Sequence, residues 1–280
     1  MNRRAFLKRM AITTGGAVAL GSAGFAYGRF EATWLHVVQT TIAVPRLPPA
    51  FTGMRVALVT DTHLGRFNSL QYIASAVDAV NTLRPDLVAF GGDLAHGPHG
   101  RRYLAPCAYE IARLTAPLGV YVVPGNHDYY DNIDEARRAV RAAGLTDLTN
   151  RGVWLERGGD RLRLGGVDDL LCGKPRPDLA VGDAGPDDSC LLLSHNPELA
   201  ETLTDRRIGL VLSGHMHGGQ VVIPGIGYHC LPAQYGDKYI AGLVPGPVVP
   251  VFVSRGVGVI GLPVRFRCRP EVNLLTLEPV

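Results

Sequence analysis

Short apolar runs alternate along the chain with longer segments in which apolar residues recur at helical spacing. Five of the runs cover residues 55–60, 86–90, 119–123, 190–194 and 209–213. The segments at 69–83 and 133–143 are predicted to form crossover helices. Later runs at 221–223, 249–253 and 272–277 predict strands that extend the same sheet or form a second one. This alternation predicts an α/β protein.

Polar residues of the metal-binding type follow each of the five runs. In chain order they are Asp61 and His63, then Asp93, then Asn126, His127 and Asp128, then His195, and finally His215 and His217. Ligands of open α/β sheets bind beyond the carboxyl ends of the strands. We therefore expect these side chains to converge on one site, although they lie far apart in sequence.

Taken singly, these motifs carry unequal weight. Asp61 with His63 could be a turn-capping carboxylate beside an exposed imidazole, and the Gly-Gly-Asp sequence at 91–93 is a common turn composition. His127 is more informative, because a turn needs no imidazole between an amide and a carboxylate. The last motif supplies two imidazoles two residues apart after a strand. The joint occurrence of all five in this order favours one metal site.

The ordered set of motifs over residues 61–217 resembles that of the calcineurin-like metallophosphoesterases. Segments around it, at 126–130, 213–220 and 254–263, are similar to the exported YkuE/YaeI-type branch of that family. Two positions depart from the branch: Thr62 stands where it usually has Leu, and Met216 where it usually has Thr. Neither is a ligand position in the family.

The resemblance implies a ligand set for two metal ions and a fold. One ion would be held by Asp61, His63 and His217, the other by Asn126, His195 and His215, with Asp93 bridging the two and His127 beside them as an acid. The implied fold is a four-layer α/β/β/α sandwich, whereas periodicity alone predicts only α/β. Imidazole, carboxylate and amide donors without a thiolate suit Mn, Fe or Zn.

A two-metal site of this kind suits hydrolysis of a phosphate ester. Two cations neutralise the phosphoryl oxygens and lower the pKa of a bridging water, so that a hydroxide can attack phosphorus. We expect His127 to protonate the leaving oxygen or to hydrogen-bond a nonbridging phosphate oxygen. Further candidates for the surroundings of the site are Asp128, Asp168, Asp169 and Arg255, the last as a phosphate contact. His96 and His99 could line the pocket, but we expect them to be solvent-exposed loop residues.

Composition adds a bound on size and excludes one class of partner. A chain of 280 residues with 46% hydrophobic residues can bury one substantial core. The net charge of +3 comes from the N-terminus, because residues 1–26 contain four basic residues and no acid, which leaves 24 basic against 25 acidic side chains. Without long basic runs, nucleic acid is not an expected partner.

Five cysteines are scattered singly along the chain. They are Cys107, Cys172, Cys190, Cys230 and Cys268. The absence of a Cys-x-x-Cys pair argues against a zinc knuckle or a thioredoxin-like site. We expect buried structural thiols and assign no disulfide.

The N-terminus has the pattern of a Tat export leader. Arg3 and Arg4 precede a Gly/Ala-rich, weakly apolar stretch at 10–26, although Asn2 replaces the usual Ser or Thr. A short uncleaved membrane anchor is the alternative. We predict a Tat-type signal or anchor at 1–26, a Pro-containing linker at 27–53 and a catalytic domain at 54–280. Tat export would place the protein in the periplasm or on the outer face of the cytoplasmic membrane.

We expect the substrate to be a phosphodiester or a lipid-linked phosphate at the membrane surface, because the protein is expected to be exported and no insertion is large enough to form a cap over the site. One alternative is a pyrophosphatase acting on a nucleotide-activated lipid such as UDP-2,3-diacylglucosamine, although export argues against a nucleotide-linked lipid made inside the cell. A noncatalytic metal- or phosphate-binding protein of the same fold is another. His127 favours an enzyme, because a metal-binding module needs no non-ligand imidazole beside its ions.

Overall fold

Two six-stranded sheets form the centre of the protein in a computed structural model that describes residues 3–97, 99–228 and 233–280. The strands are β1 (His36–Val44), β2 (Arg55–Val59), β3 (Leu64–Gly65), β4 (Leu87–Phe90), β5 (Ala95–His96), β6 (Val120–Val122), β7 (Thr146–Asp147), β8 (Arg151–Arg157), β9 (Asp160–Gly166), β10 (Cys190–Leu193), β11 (Ile208–Ser213), β12 (Val222–Ile223), β13 (Gly227–Tyr228), β14 (Gly242–Val244), β15 (Val251–Val253) and β16 (Glu271–Pro279). The helices are α1 (Arg3–Glu31), α2 (Leu70–Leu83), α3 (Arg101–Ile111), α4 (Asn126–Ala142) and α5 (Pro177–Val181), with short 3-10 helices at Pro49–Phe51, Pro197–Thr202 and His217–Gly219.

Parallel pairing places several strand ends at the same edge of each sheet. The first sheet has the order β1-β16-β2-β4-β6-β7 and the second β14-β15-β11-β10-β9-β8. In the first, β2, β4 and β6 are parallel neighbours; in the second, β9, β10 and β11 are. Polar residues that follow these six strands are therefore gathered along two sheet edges.

Alternating strand residues build the layers of the molecule. In β2, Val56 and Leu58 belong to the apolar core between the two sheets, whereas Ala57 and Val59 pack with α2, α3 and α4 on the outer face. The second sheet alternates in the same way, and its outer face packs against α5 and the 3-10 helix at Pro197–Thr202. The layers are helix, sheet, sheet and helix, which confirms the α/β/β/α sandwich.

The predicted helices are present, with one difference at the site. Helix α2 begins after Ser69, whose hydroxyl accepts a hydrogen bond from the Tyr72 N–H (3.2 Å). Helix α4 begins at Asn126, well before the predicted segment at 133–143, and its regular conformation is interrupted at Asn132 (φ 156°). The predicted segment is the part of α4 that follows this break.

The N-terminal region differs from the predicted linker at 27–53. Strand β1 lies within it and pairs in parallel with all nine residues of β16, and Ile42 and Val44 are buried in the core between the sheets. Helix α1 continues to Glu31. Within the part of the chain that the structure describes, no helix is both long and apolar enough to cross a membrane. Asn2 of the predicted leader lies outside the described residues.

Candidate metal centre

All seven predicted metal ligands meet in one buried site where the carboxyl edges of the two sheets face each other. Each has 5% or less of its surface exposed. Asp61 and His63 follow β2, Asp93 follows β4, Asn126 begins α4 after β6, His195 follows β10, and His215 and His217 follow β11. Residues up to 154 positions apart thus come within contact distance.

The first cluster of donors contains Asp61, His63 and His217. The Nε2 atoms of the two histidines are 3.0 Å apart. Asp61 Oδ1 lies 3.5 Å from His217 Nε2 and 3.8 Å from His63 Nε2. These three residues offer donor atoms to a single point, as a metal ion requires.

The second cluster contains Asn126, His195 and His215. His195 Nε2 lies 3.1 Å from Asn126 Oδ1 and 3.2 Å from His215 Nδ1. The other ring nitrogen of His195, Nδ1, lies 2.7 Å from the Gly91 carbonyl oxygen, which fixes the ring by a hydrogen bond. A ligand histidine held through its second nitrogen is common at metal sites.

Asp93 lies between the clusters. Its Oδ2 is 3.4 Å from His63 Nε2 in the first cluster and 3.2 Å from His195 Nε2 in the second. One carboxylate is therefore shared by both sets of donors, the position that a bridging ligand occupies.

The residues present fit two metal ions. With bonds of about 2.0–2.2 Å, neighbouring donors of one ion lie roughly 3.0–3.5 Å apart. Most of the separations above fall in this range. Burial lowers the pKa of His63 and of His217, which favours the neutral imidazole, the form that binds metal. His63 Nδ1 has no hydrogen-bond partner among the described residues.

The pKa values of the two donor carboxylates, Asp61 and Asp93, shift in opposite directions because their neighbours differ. Burial raises the pKa of Asp61 to about 6. Burial also acts to raise the pKa of Asp93, but His195 and His63 beside it hold that pKa well below its usual value. In return, Asp93 raises the pKa of His195 in spite of its burial. Asp93 is thus held as the anion at the centre of the site.

Five of the seven donors have left-handed backbone, which only a few per cent of non-glycine residues adopt. Their φ angles are 56° at Asp61, 45° at His63, 60° at Asp93, 70° at His215 and 50° at His217. Backbone bonds between the loops hold this conformation, since Asp61 N–H donates to the Gly92 carbonyl and His63 N–H to that of Asp93 (3.0 Å each). Such strain is concentrated at functional sites.

Two glycines allow the loops to approach this closely. A Cβ atom at Gly125 would lie 2.2 Å from Asp93 Oδ1, and one at Gly214 would lie 2.3 Å from Asp61 Oδ2. Any side chain at either position would collide with a donor carboxylate.

Asp128 joins two of the donor loops. It is buried, and its carboxylate accepts hydrogen bonds from the N–H groups of Asp93 (2.9 Å), Leu94 (3.0 Å) and Gly125 (2.9 Å). Burial and the charge of Asp93 raise its pKa to about 7. Asp128 positions the loop before Asn126 against the loop that carries Asp93.

His127 lies beside the donors and is half-buried. Its backbone N–H donates to Asp93 Oδ1 (2.8 Å). Its ring meets that of His63 edge-on, with the ring centroids 4.8 Å apart. Burial lowers its pKa. The imidazole is thus next to the first cluster and still reachable from solvent.

His96 was expected to be a solvated loop residue, and this expectation is wrong. Its Nδ1 lies 2.8 Å from His127 Nδ1, and it is half-buried. The short parallel pair of β3 and β5 brings His96 to the site by placing it opposite Gly65. His99 is exposed, as predicted.

Two consecutive acids, Asp168 and Asp169, follow strand β9, which pairs with β10. Asp168 Oδ1 accepts from the Tyr129 hydroxyl (2.6 Å). Asp169 is fully buried; its Oδ1 accepts from the N–H of Cys172 (2.8 Å), and its Oδ2 has no hydrogen-bond partner among the described residues. Burial raises the pKa of Asp169, and the charge of His195 opposes that rise. Asp169 and His195 of the second cluster therefore influence each other's pKa through their charges.

Arg255 lies next to a glutamate of β16, and the four described cysteines form no disulfide. Arg255, considered above as a phosphate contact, has Nη1 3.5 Å from Glu271 Oε2. Among the described residues, Cys107, Cys190 and Cys268 are free and buried, whereas Cys172 is free and half-buried. Cys230 lies outside the described residues.

The chain matches known proteins over almost its whole length. The model of the family "calcineurin-like phosphoesterase" matches residues 54–219. The chain is 30% identical to the uncharacterized metallophosphoesterase YkuE of Bacillus subtilis (strain 168), over 99% of this chain and 98% of that protein. It is 29% identical to phosphodiesterase YaeI of Escherichia coli (strain K12), over 99% of each. An uncharacterized metallophosphoesterase of Aquifex aeolicus (strain VF5) is 31% identical, over 94% of this chain and 97% of that protein. The site geometry and these matches lead to one conclusion: the chain belongs to the calcineurin-like phosphoesterase family.

Proposed function

We propose that this protein is a two-metal phosphodiesterase that hydrolyses an envelope or lipid-linked phosphate ester. The observation that carries the proposal is the position of Asp93 Oδ2, 3.4 Å from His63 Nε2 and 3.2 Å from His195 Nε2. A carboxylate shared by two donor clusters is what a pair of ions about 3.5–4 Å apart requires. When bound, Mn, Fe or Zn ions would neutralise phosphoryl oxygens and make water nucleophilic.

Each donor has a distinct place in this proposal. Asp61, His63 and His217 would hold one ion, and Asn126, His195 and His215 the other. Asp93 would bridge them. His127 would protonate the leaving oxygen, because its ring lies beside the first cluster without being required as a donor. Its backbone N–H donates to Asp93 Oδ1, which holds the backbone of His127 next to the bridging carboxylate.

The substrate class is supported by a relative and by the N-terminus. Phosphodiesterase activity is what the name of the Escherichia coli relative states of that protein. The twin-arginine pattern at Arg3 and Arg4 supports Tat export to the periplasm or to the outer face of the cytoplasmic membrane. There, the Tat machinery would be a transient partner and a phosphate ester at the membrane surface would be the substrate.

Turnover measured together with metal content tests the proposal. The purified full chain, loaded in turn with Mn, Fe and Zn, should hydrolyse bis(p-nitrophenyl) phosphate, and a chelator should abolish this reaction. Matched monoester, lipid-linked diester and UDP-2,3-diacylglucosamine substrates then separate a diesterase from the pyrophosphatase alternative. Protein that holds two ions per chain yet hydrolyses none of these esters would be a noncatalytic metal-binding protein, and the proposal would be wrong.

A further inference from the structure

Large apolar side chains are exposed in three segments near the end of α1. Of the nineteen large apolar side chains that are exposed in the described part of the chain, eight lie in these segments. They are Phe25, Tyr27, Phe30 and Trp34 of the first segment, Ile223, Ile226 and Tyr228 of the β12–β13 hairpin, and Leu262 of the third segment. We call these eight residues the apolar face. Ile226, at the turn of the hairpin, is 81% exposed.

Direct contacts join the three segments into one surface. The rings of Tyr27 and Phe266 meet edge-on with centroids 5.8 Å apart, and Arg29 donates from Nη1 to the Pro263 carbonyl (3.1 Å). The hairpin is attached in turn, because Val222 N–H donates to the Phe266 carbonyl (2.9 Å). The three segments that carry the apolar face are therefore joined to one another by direct contacts.

The exposed charges within the three segments are all positive. Residues 25–36, 221–228 and 258–270 contain one acid, Glu31, which is buried and bonded to the Cys268 N–H (2.6 Å). Arg29 and Arg267 are exposed, and the Arg269 guanidinium lies 3.9 Å from the centroid of the Trp34 ring. Aromatic and aliphatic side chains mixed with arginines are the composition that binds an anionic lipid surface.

The same segments contact a donor loop of the metal centre. The Arg265 guanidinium is fully buried, and its Nη1 donates to the carbonyl oxygens of Cys268 (3.2 Å) and His217 (3.3 Å). Cys268 Sγ lies 3.1 Å from the same His217 oxygen. On the hairpin, the Tyr228 ring packs against Gly219 so closely that a Cβ there would lie 2.6 Å from it. A ligand held on the apolar face would therefore lie close to the loop that carries His217.

A cavity lies beside the metal centre, and one of its lining residues is next in sequence to the apolar face. It has a volume of about 220 Å³ and is lined by His63, Arg66, Phe67, Asn68, His96, Gly97, Val259 and Gly261. His63 and His96 line it on the side of the metal centre, and Gly261 adjoins Leu262 of the apolar face. The one cationic residue among the eight lining residues, Arg66, can attract an anionic headgroup.

We propose that the apolar face docks on the surface of an anionic lipid bilayer and presents the cavity to phosphate headgroups there. This inference rests on the proposed phosphodiesterase function and names its partner. The apolar side chains would enter the headgroup region, and the arginines would contact lipid phosphates. An ester bond at the bilayer surface would reach the metals through the cavity lined by Arg66.

Vesicle binding by the full chain tests the proposal. Vesicles of phosphatidylcholine and phosphatidylglycerol in equal amounts are sedimented with the wild-type protein and with Ile226→Asp and Leu262→Asp. Each substitution places a charge where an apolar side chain would be buried, so each should weaken binding about tenfold. Pure phosphatidylcholine vesicles should bind the wild type more weakly. Leu179→Asp is the matched control, because Leu179 is as exposed as Leu262 (48% and 47%) but lies on α5.

Three outcomes would overturn the proposal. The first is equal binding by all variants, with binding lost only when residues 1–26 are removed, since the leader alone would then hold the vesicle. The second is an equal loss in Leu179→Asp. The third is a wild-type dimer, seen by light scattering, that Ile226→Asp dissociates, because the face would then bind a second copy. Turnover of bis(p-nitrophenyl) phosphate should be unchanged in Ile226→Asp, so failure of this inference is distinguishable from failure of the proposed activity.

Discussion

The seven donors and the pair formed by His96 and His127 lie in one site but are held in different ways. The donors are almost fully buried, and five of them have left-handed backbone. The pair is half-buried, on the start of a helix and on a two-residue strand. A rigid, dry set of donors suits ions that stay in place, whereas an accessible pair suits a proton that must reach a substrate. The comparison predicts that metal content and turnover can be separated by mutation.

Asp93→Asn should have the largest effect, because this substitution weakens the charge shared by both clusters. Turnover should fall by about 10⁴-fold or more. Metal content, measured by mass spectrometry in the same preparation, should fall as well. Asp78→Asn, an exposed acid on α2, is the control and should change neither. Full metal content together with full activity in Asp93→Asn would remove the bridging role.

His127→Ala should lower kcat by about 10²–10⁴-fold, because the ring supplies a proton to the leaving oxygen. Metal content should be unchanged, because His127 is not a metal ligand. His99→Ala is the matched control, since His99 is exposed and lies in the same part of the chain. A loss of metal equal to that in Asp93→Asn would show that His127 belongs with the donors, and the division between donors and pair would fail.

Asp128→Ala should displace both the metal donors and the pair of His96 and His127, because it disturbs the backbone that carries them. It leaves the buried N–H groups of Asp93, Leu94 and Gly125 without their acceptor, each at a cost of about 1–3 kcal/mol. The free energy of unfolding in urea should fall by roughly 3 kcal/mol, and turnover by about 10- to 100-fold through displaced loops. Asp178→Ala, which removes an exposed ion pair with Arg176, should leave both values almost unchanged. Wild-type stability in Asp128→Ala would contradict its positioning role.

His96→Ala should have the smallest effect, about five- to tenfold on kcat, because it removes one hydrogen bond that orients the His127 ring. Metal content and KM should be unchanged. His96→Asn, whose amide can still bond to Nδ1, should recover part of the rate. If His96→Ala lost metal instead, the cluster of His63, His96 and His127 would be a third donor set.

The donors could be predicted from sequence because each follows a strand whose apolar run is visible. His96 could not be predicted, because β5 has two residues and its partner β3 is about thirty residues away, so neither shows a period. Asp169 gave a weak signal for a related reason: Asp-Asp after a strand is also an ordinary turn. The role of β1 was hidden because its partner, β16, is at the other end of the chain.

The pairing of β1, β16 and β2 has a consequence for the order in which the molecule is made. Strand β16 contains residues 271–279 and lies between two strands from the first quarter of the chain. The first sheet therefore stays divided until residues 271–279 have left the ribosome. Both Leu275 and Leu277 fill the core between the sheets, so this core is incomplete until then. Assembly of the first sheet thus waits for the synthesis of β16, and a chain truncated before residue 271 would leave the edges of β1 and β2 open to aggregation.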